Sequence, residues 1–353
     1  MHIFHAPAMN KEDFRTIQSL GHTELIKELT KGSSVSHDHV VKGIGDDAAV
    51  SEHLSDDNFS LLTSETFTEG VDFDLTYTPL HHLGYKVMSA AVSDIYAMNG
   101  YPDTALINLA VPNKLSVNML QQIYKGIYAA GGDYNVQIVG GDLTASHGTL
   151  GITVTITGYV EKNDIIYRSG AEEGDAICVS GDLGGATAGL RILMREKQFW
   201  QEEKDQQQAF QPDLEEYEYV VKRQLLPSAR KDIIDQIHQH DLLPHSMIDV
   251  TKGLISELKQ LTEASNVGVQ IYQASLPIAL ETRTVADEMS EEVDKYALYG
   301  GEDLELLFTV AEEQVEDFAE ILTDFNVIGK VSEPDQGIVM QSAEGDLIRF
   351  EED

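Results

Sequence analysis

The chain has 353 residues, with 24 Lys+Arg against 60 Asp+Glu and a formal charge of −36. Hydrophobic residues make up 42% and charged residues 24%, which is globular rather than disordered. So negative a balance, with no basic stripe, excludes free binding to nucleic acid or an anionic membrane surface. One cysteine excludes an intrachain disulfide framework and a cysteine-based zinc site.

No apolar run approaches the roughly 18 residues of a membrane span. Met1–Pro7 lacks the basic flank and apolar stretch of an export signal, so a cytoplasmic location is expected. An acidic protein that handles phosphates must neutralise them, because like charges about 4 Å apart cost about 1 kcal/mol even in water. Carboxylates beside phosphate-sized glycine loops would therefore point to Mg²⁺.

Residues 12–31 carry Phe14, Ile17, Leu25, Ile26 and Leu29 at helical spacing. Gly43–Val50 reads as a glycine-bounded loop entering a strand, and Phe59–Thr63 as the next strand. Gly84–Asn99 reads as helix, Leu106–Val111 as strand and Val117–Ala130 as helix. Val136–Val139 is a predicted strand that ends in a Gly140-Gly141-Asp142 turn, and Leu150–Val160 alternates like a half-buried strand. A boundary is predicted near 160. Beyond it come strand Asp175–Ser180, loop Gly181–Gly185, helix Thr187–Glu196, and a solvated helical insertion over 197–218. Helix Thr251–Ser265 and strands Val269–Tyr272 and Leu304–Val310 complete the pattern. Strands and helices mix without regular alternation, which predicts two α+β domains, 1–160 and 161–353, rather than a doubly wound parallel sheet.

Six places could carry chemistry. Asp46-Asp47 follows Gly43 and Gly45, which let backbone approach a ligand, and two adjacent carboxylates call for solvation or a shared cation. Asp94 shares a helix face with Val87, Ala91 and Met98, where a carboxylate is costly unless paired or metal-bound. Gly140-Gly141-Asp142 and Gly300-Gly301-Glu302-Asp303 combine exposed backbone N–H groups with an acid, either as tight turns or as metal-phosphate contacts. Asp249 or Thr251 is a natural N-cap for the helix that follows, or a group facing a nucleotide. Ser180–Gly185 opens a helix whose N-terminus could hold an anion, yet no Walker A lysine is present. His37-Asp38-His39 reads as a polar loop and Cys178 as a buried core thiol.

In this order, Gly43–Val50, Thr63-Ser64-Glu65, Glu69–Phe73, Leu83–Lys86, Ser93–Met98, Gly140–Asp142, Tyr167–Ala171, Met247–Asp249 and Gly300–Phe308 resemble the thiamine-monophosphate kinase family. That family belongs to the aminoimidazole ribonucleotide synthetase-like superfamily. The resemblance implies an N-terminal domain that binds ATP and Mg²⁺ and forms a homodimer through its sheet. A C-terminal domain would close over the nucleotide. It implies Asp47, Asp94 and Asp142 as magnesium ligands around the phosphates, Thr63, Ser64 and Glu65 as a further metal-binding edge, and Asp249 as another ligand. Gly141, Arg168 and Thr251 would contact ATP; Asp72 and Glu302 would face thiamine monophosphate. The reaction would be direct in-line transfer of the γ-phosphoryl group. Glu65, Asp72, Leu143, Lys252 and Leu304 depart from the family pattern, Lys252 most sharply because it replaces an acid. A related ATP-using enzyme with another acceptor, or a nucleotide binder without catalysis, are the alternative readings.

Overall fold

The structure, a computed structural model, describes residues 27, 30, 37–53, 55–203 and 214–350. The predicted 12–31 helix lies outside these except at Lys27 and Thr30, both helical, and residues 204–213 of the predicted insertion lie outside them too. The chain forms two mixed α+β halves, each built on one sheet.

The first sheet contains β1 (Val40–Lys42), β2 (Ala49–Glu52), β3 (Asn58–Thr68), β4 (Tyr101–Pro112), β5 (Gln137–Ser146) and β6 (Gly151–Glu161), in the order β1-β2-β3-β6-β4-β5. All pairs are antiparallel except β4 with β5. That parallel pair is joined by helix α2 (Val117–Tyr134), the crossover that parallel strands require. Helix α1 (Leu80–Ala97) precedes β4 and lies against α2. Inward side chains such as Leu61, Ile107, Ile152 and Val154 pack beneath the helices. The opposite face carries Ser64–Thr155 and Thr66–Thr153 hydroxyl pairs and stays open at Leu62 and Leu106, 50% and 42% exposed.

The second sheet runs β13-β12-β9-β11-β7-β10-β8, from β7 (Ala176–Ser180), β8 (Ser246–Val250), β9 (Gly268–Tyr272), β10 (Glu305–Val310), β11 (Phe325–Ser332), β12 (Ile338–Gln341) and β13 (Leu347–Phe350). Its helices are α3 (Gly185–Glu203), α4 (Glu218–Leu225), α5 (Lys231–His240), α6 (Leu254–Ser265), α7 (Leu280–Met289), α8 (Val293–Tyr299) and α9 (Val315–Ile321). Helix α1 also packs on β8, and one apolar cluster joins Val87 and Ile95 to Met247, Phe308 and Ile233. This explains why α1 is apolar nearly all round: it is the layer shared by both halves. Cys178 is fully buried on β7. Among the described residues no helix is long and apolar enough to cross a membrane.

Three local expectations change. The strand predicted to stop before Gly140 continues to Ser146, because Gly140, Gly141 and Asp142 stay in register with Leu106, Ile107 and Asn108 of β4. Gly141 permits this: its φ is +146° and a Cβ there would stand 1.8 Å from the Ile107 carbonyl oxygen. The helix predicted from Thr251 starts at Leu254, capped by Gly253 at φ +97°, so neither Asp249 nor Thr251 is its N-cap. The N–H groups opening α3 are taken by the protein itself, since Asp303 accepts from Gly184 N at 2.7 Å and Ala186 N at 3.2 Å.

The α1–α2 contact is made at two glycines. A Cβ on Gly84 would lie 1.9 Å from the Ile123 carbonyl oxygen, and one on Gly126 would lie 1.9 Å from that of His81. Gly126→Ala gains about 1 kcal/mol of helix propensity but must separate two backbones, an overpacking cost of about 1–3 kcal/mol. A net loss of stability in urea unfolding is expected; an unchanged midpoint would show that the helices separate freely.

Candidate active site

Three carboxylates from three elements meet between the halves. Asp47 lies in the β1–β2 loop, Asp94 on α1 and Asp249 on β8, and one oxygen from each lies within 4.8 Å of the others. All three are buried. Asp94 points inward because its helix is enclosed on most sides, and Thr63 Oγ1 on β3 donates to its Oδ2 at 2.5 Å. Arg168 clamps Asp47 with both prongs, Nε to Oδ2 at 3.0 Å and Nη2 to Oδ1 at 2.5 Å, and its Nη1 donates to Gln260 Oε1 at 2.8 Å. The backbone N–H of Arg168 donates to Asp46, so the second acid of the pair anchors the loop.

Burial pushes Asp47 up to about 7 despite Arg168, and Asp249 likewise to about 7. Burial, then the charges of Asp249, Glu65 and Asp47, hold Asp94 well above the usual carboxylate range. Glu65 is raised by burial. Glu257, 2% exposed, is pushed by burial to about 7 while it accepts from Lys252 N at 2.8 Å and Gln260 Nε2 at 2.6 Å. The cluster therefore holds more carboxylate than its Arg and Lys neighbours neutralise. Asp249 Oδ2 is buried without a hydrogen-bond partner. Closely set oxygen donors of this kind suit a hard divalent cation.

These residues line a cavity of about 700 Å³, which also takes in Thr63, Ser64, Glu65, Thr66, Thr251 and Lys252. A second cavity of about 660 Å³ adjoins it, lined by Phe73, Asp74, Tyr77, Met194 and Lys197. Asp72 and Glu302 line both. Asp72 closes its own turn by accepting from Thr68 N at 2.7 Å. Glu302 and Leu304 hold left-handed backbone, at φ +68° and +54°. Such positions are strained for residues with a Cβ and are kept where the surroundings over-determine them.

The structure thus gathers Asp47, Thr63, Ser64, Glu65, Asp72, Asp94, Arg168, Asp249, Thr251 and Glu302 around connected chambers. It does not gather Asp142 and Gly141 with them. Both are exposed on β5, three strands from β3, in a row that runs Asp142, Asn108, Thr153, Thr66. At about 4.8 Å per strand that separation is about 14 Å. Asp142 nonetheless faces the same open side of the sheet as Ser64 and Thr66. Lys86, Glu257 and Gln260 were not singled out from the sequence. Lys86 carried a readable signal, because Lys86, Ala90 and Asp94 repeat every four residues and share a helix face. Glu257 and Gln260 on α6 gave no such sign. His37-Asp38-His39 is an exposed turn.

AIR synthase related protein, N-terminal domain, matches residues 45–160, and AIR synthase related protein, C-terminal domain, matches residues 172–341. Thiamine-monophosphate kinase of Aquifex aeolicus (strain VF5) is 34% identical over 296 residues, covering 83% of this chain and 87% of its own. That of Bacillus subtilis (strain 168) is 32% identical over 83% of this chain and 84% of its own. A solved structure of AaThiL complexed with AMPPCP and TMP matches with TM-score 0.79 and 31% identity, covering 96% of this chain and 97% of that one. Hydrogenase maturation protein HypE shares the fold at 16% identity and TM-score 0.63, covering 82% of this chain and 85% of that one. With this identity over most of its length, the chain belongs to the thiamine-monophosphate kinase family.

Proposed function

We propose that this chain transfers the γ-phosphoryl group of ATP directly to the phosphate of thiamine monophosphate, giving thiamine diphosphate and ADP. The observation that carries the reading is a carboxylate-lined chamber opening on a second chamber with shared acidic walls. The relative with AMPPCP and TMP bound supports the two-ligand arrangement.

Asp47, Asp94 and Asp249 would hold Mg²⁺, with Thr63, Ser64 and Glu65 at the edge of the same site. Bound there, the ion would supply positive charge against the phosphate oxygens and fix their geometry. Arg168 keeps the Asp47 loop closed and presents its guanidinium to the nucleotide side. Thr251, beside Asp249 in the turn before α6, would bind the nucleotide. Asp72 and Glu302 would face the cationic thiazolium ring, and Phe73, Tyr77 and Met194 offer apolar surface to the rest of the acceptor. The single buried cysteine fits a cytoplasmic site of action.

A homodimer reconciles Asp142 with this site. The open face of the first sheet exposes Leu62 and Leu106 and carries Ser64, Thr66 and Asp142 on one side. A second copy on that face would bring its own Gly141 and Asp142 to the mouth of the chamber. On this reading the first domain, 1–160, binds nucleotide and dimerises, and the second, 161–353, closes over it.

Incubation with thiamine monophosphate and ATP should give thiamine diphosphate only when Mg²⁺ is present; folded, ATP-binding protein that yields none would refute the acceptor. Asp94→Asn removes a like charge from a buried cluster, so it should raise Tm by a few degrees in the absence of Mg²⁺, whereas with Mg²⁺ present its turnover should be lost. A fall in Tm instead would mean that Asp94 is held by favourable contacts rather than strained. Asp142→Ala and Asp47→Ala should each be inactive alone, yet mixed dimers should recover about a quarter of the wild-type activity, because half the pairs are mixed and each rebuilds one site. No recovery on subunit exchange would place Asp142 outside the partner's site.

A further inference from the structure

Lys86 is a cation where the fold makes one expensive. It stands on α1, the helix shared by both halves, and is 3% exposed. Its Nζ donates to Glu302 Oε2 at 2.8 Å and to the Gln224 carbonyl oxygen at 3.1 Å. Glu302 Oε2 also accepts from Gln224 Nε2 at 3.0 Å. A buried ammonium is tolerated when paired, so these contacts account for its presence as far as stability goes. They do not account for its position. Lys86 lines the larger chamber, and Glu302, its partner, lines both chambers. The ion pair therefore sits at the junction, with the positive group on the nucleotide side and the negative group on the shared wall.

The other cations lining the larger chamber have different surroundings. Arg168 bonds Asp47 and Gln260. Lys27 pairs with Glu263 at 2.5 Å. Lys252 lies beside Glu65 and Glu257, whose carboxyls its charge pulls down. Lys86 is bonded to the wall that the chambers share, through Glu302. An ammonium has three N–H donors; Glu302 and Gln224 take two, and the third remains for an anion at the junction.

The reaction proposed above needs a cation there. An oxygen of the acceptor phosphate forms a bond to the γ-phosphorus while the bond from that phosphorus to the β,γ-bridging oxygen breaks, its electron pair leaving with ADP. The two anionic groups must come within about 3–3.5 Å before this happens. Thiamine monophosphate carries its negative phosphate and its positive thiazolium ring in one molecule. The Lys86–Glu302 pair presents the complementary charges in the complementary order.

We propose that Lys86 is a catalytic residue that binds the acceptor phosphate at the junction of the two chambers, exchanging its ion pair with Glu302 for the substrate's charges. The assignment rests on the thiamine monophosphate reading and names the group that holds the reacting phosphate.

The test compares thiamine monophosphate with thiamine, which lacks the phosphate, by calorimetric binding to wild-type protein, Lys86→Met and Lys86→Arg. In Lys86→Met, affinity for thiamine monophosphate should fall about tenfold or more, with affinity for thiamine and for a non-hydrolysable ATP analogue within about twofold of wild type. Lys86→Arg keeps a cation and should recover part of the preference for the phosphorylated ligand. Equal losses for thiamine and its monophosphate in Lys86→Met, or no loss for either, would overturn the assignment and leave Lys86 as a pin between the halves. If Lys86→Met does not fold, Lys86→Gln decides: an unchanged preference for the phosphorylated ligand would overturn the proposal, and a reduced preference with thiamine affinity kept would support it. Wild-type protein that neither binds nor phosphorylates thiamine monophosphate would overturn the acceptor reading, and this assignment with it, whatever Lys86 variants show.

Discussion

The rest of the site is arranged around one constraint, the crowding of Asp47, Asp94 and Asp249 in a buried space. Each comes from a different element, and the cluster exists only when the β1–β2 loop, α1 and β8 are docked. Burial raises all three carboxyls, so bringing them together while ionised opposes folding rather than driving it. The apolar layer around α1 holds them in place. Val87 and Ile95 on α1 and Met247 and Phe308 in the second sheet belong to one buried cluster, so the hydrophobic contact between the halves holds the repelling charges together. The protein stores an unmet demand for positive charge on the wall of the larger chamber.

Support around the cluster is directional. Thr63 fixes one oxygen of Asp94, and Arg168 fixes Asp47 with two parallel bonds, a geometry that a lysine would not reproduce. Gln260 and Glu257 extend the network onto α6. The site is therefore braced from both halves. A motion that separated β8 from α1 would break the carboxylate cluster without breaking either sheet.

Much of this was legible in the chain. The cost of an acid on an apolar helix stripe identified Asp94, and the fold class followed from strands and helices that mix without alternating. The losses have physical reasons. Gly140-Gly141-Asp142 looks like a turn because glycine pairs usually break strands, but β4 holds the segment in parallel register where only glycine fits at 141. The opening of α3 looks like an anion site, and it is one, filled by Asp303 from more than a hundred residues away in sequence. Such long-range occupancy leaves no local trace. Lys86 was readable and overlooked: a four-residue repeat with Asp94 placed both charges on one helix face, and only the acid drew attention.

The overall charge of −36 sharpens the role of the few cations near the site. A protein this acidic repels free ATP and free thiamine monophosphate over the screening distance, about 8 Å at physiological salt. Within that distance, local charge decides. Lys27, Lys86, Arg168 and Lys252 all line the larger chamber, so positive groups stand among its carboxylates and offset their charge at close range. Lys252 occupies a position where the resemblance leads one to expect an acid, and its charge opposes the burial that raises Glu65 and Glu257. A cation there moderates the negative edge of the chamber to which Glu65 and Glu257 contribute.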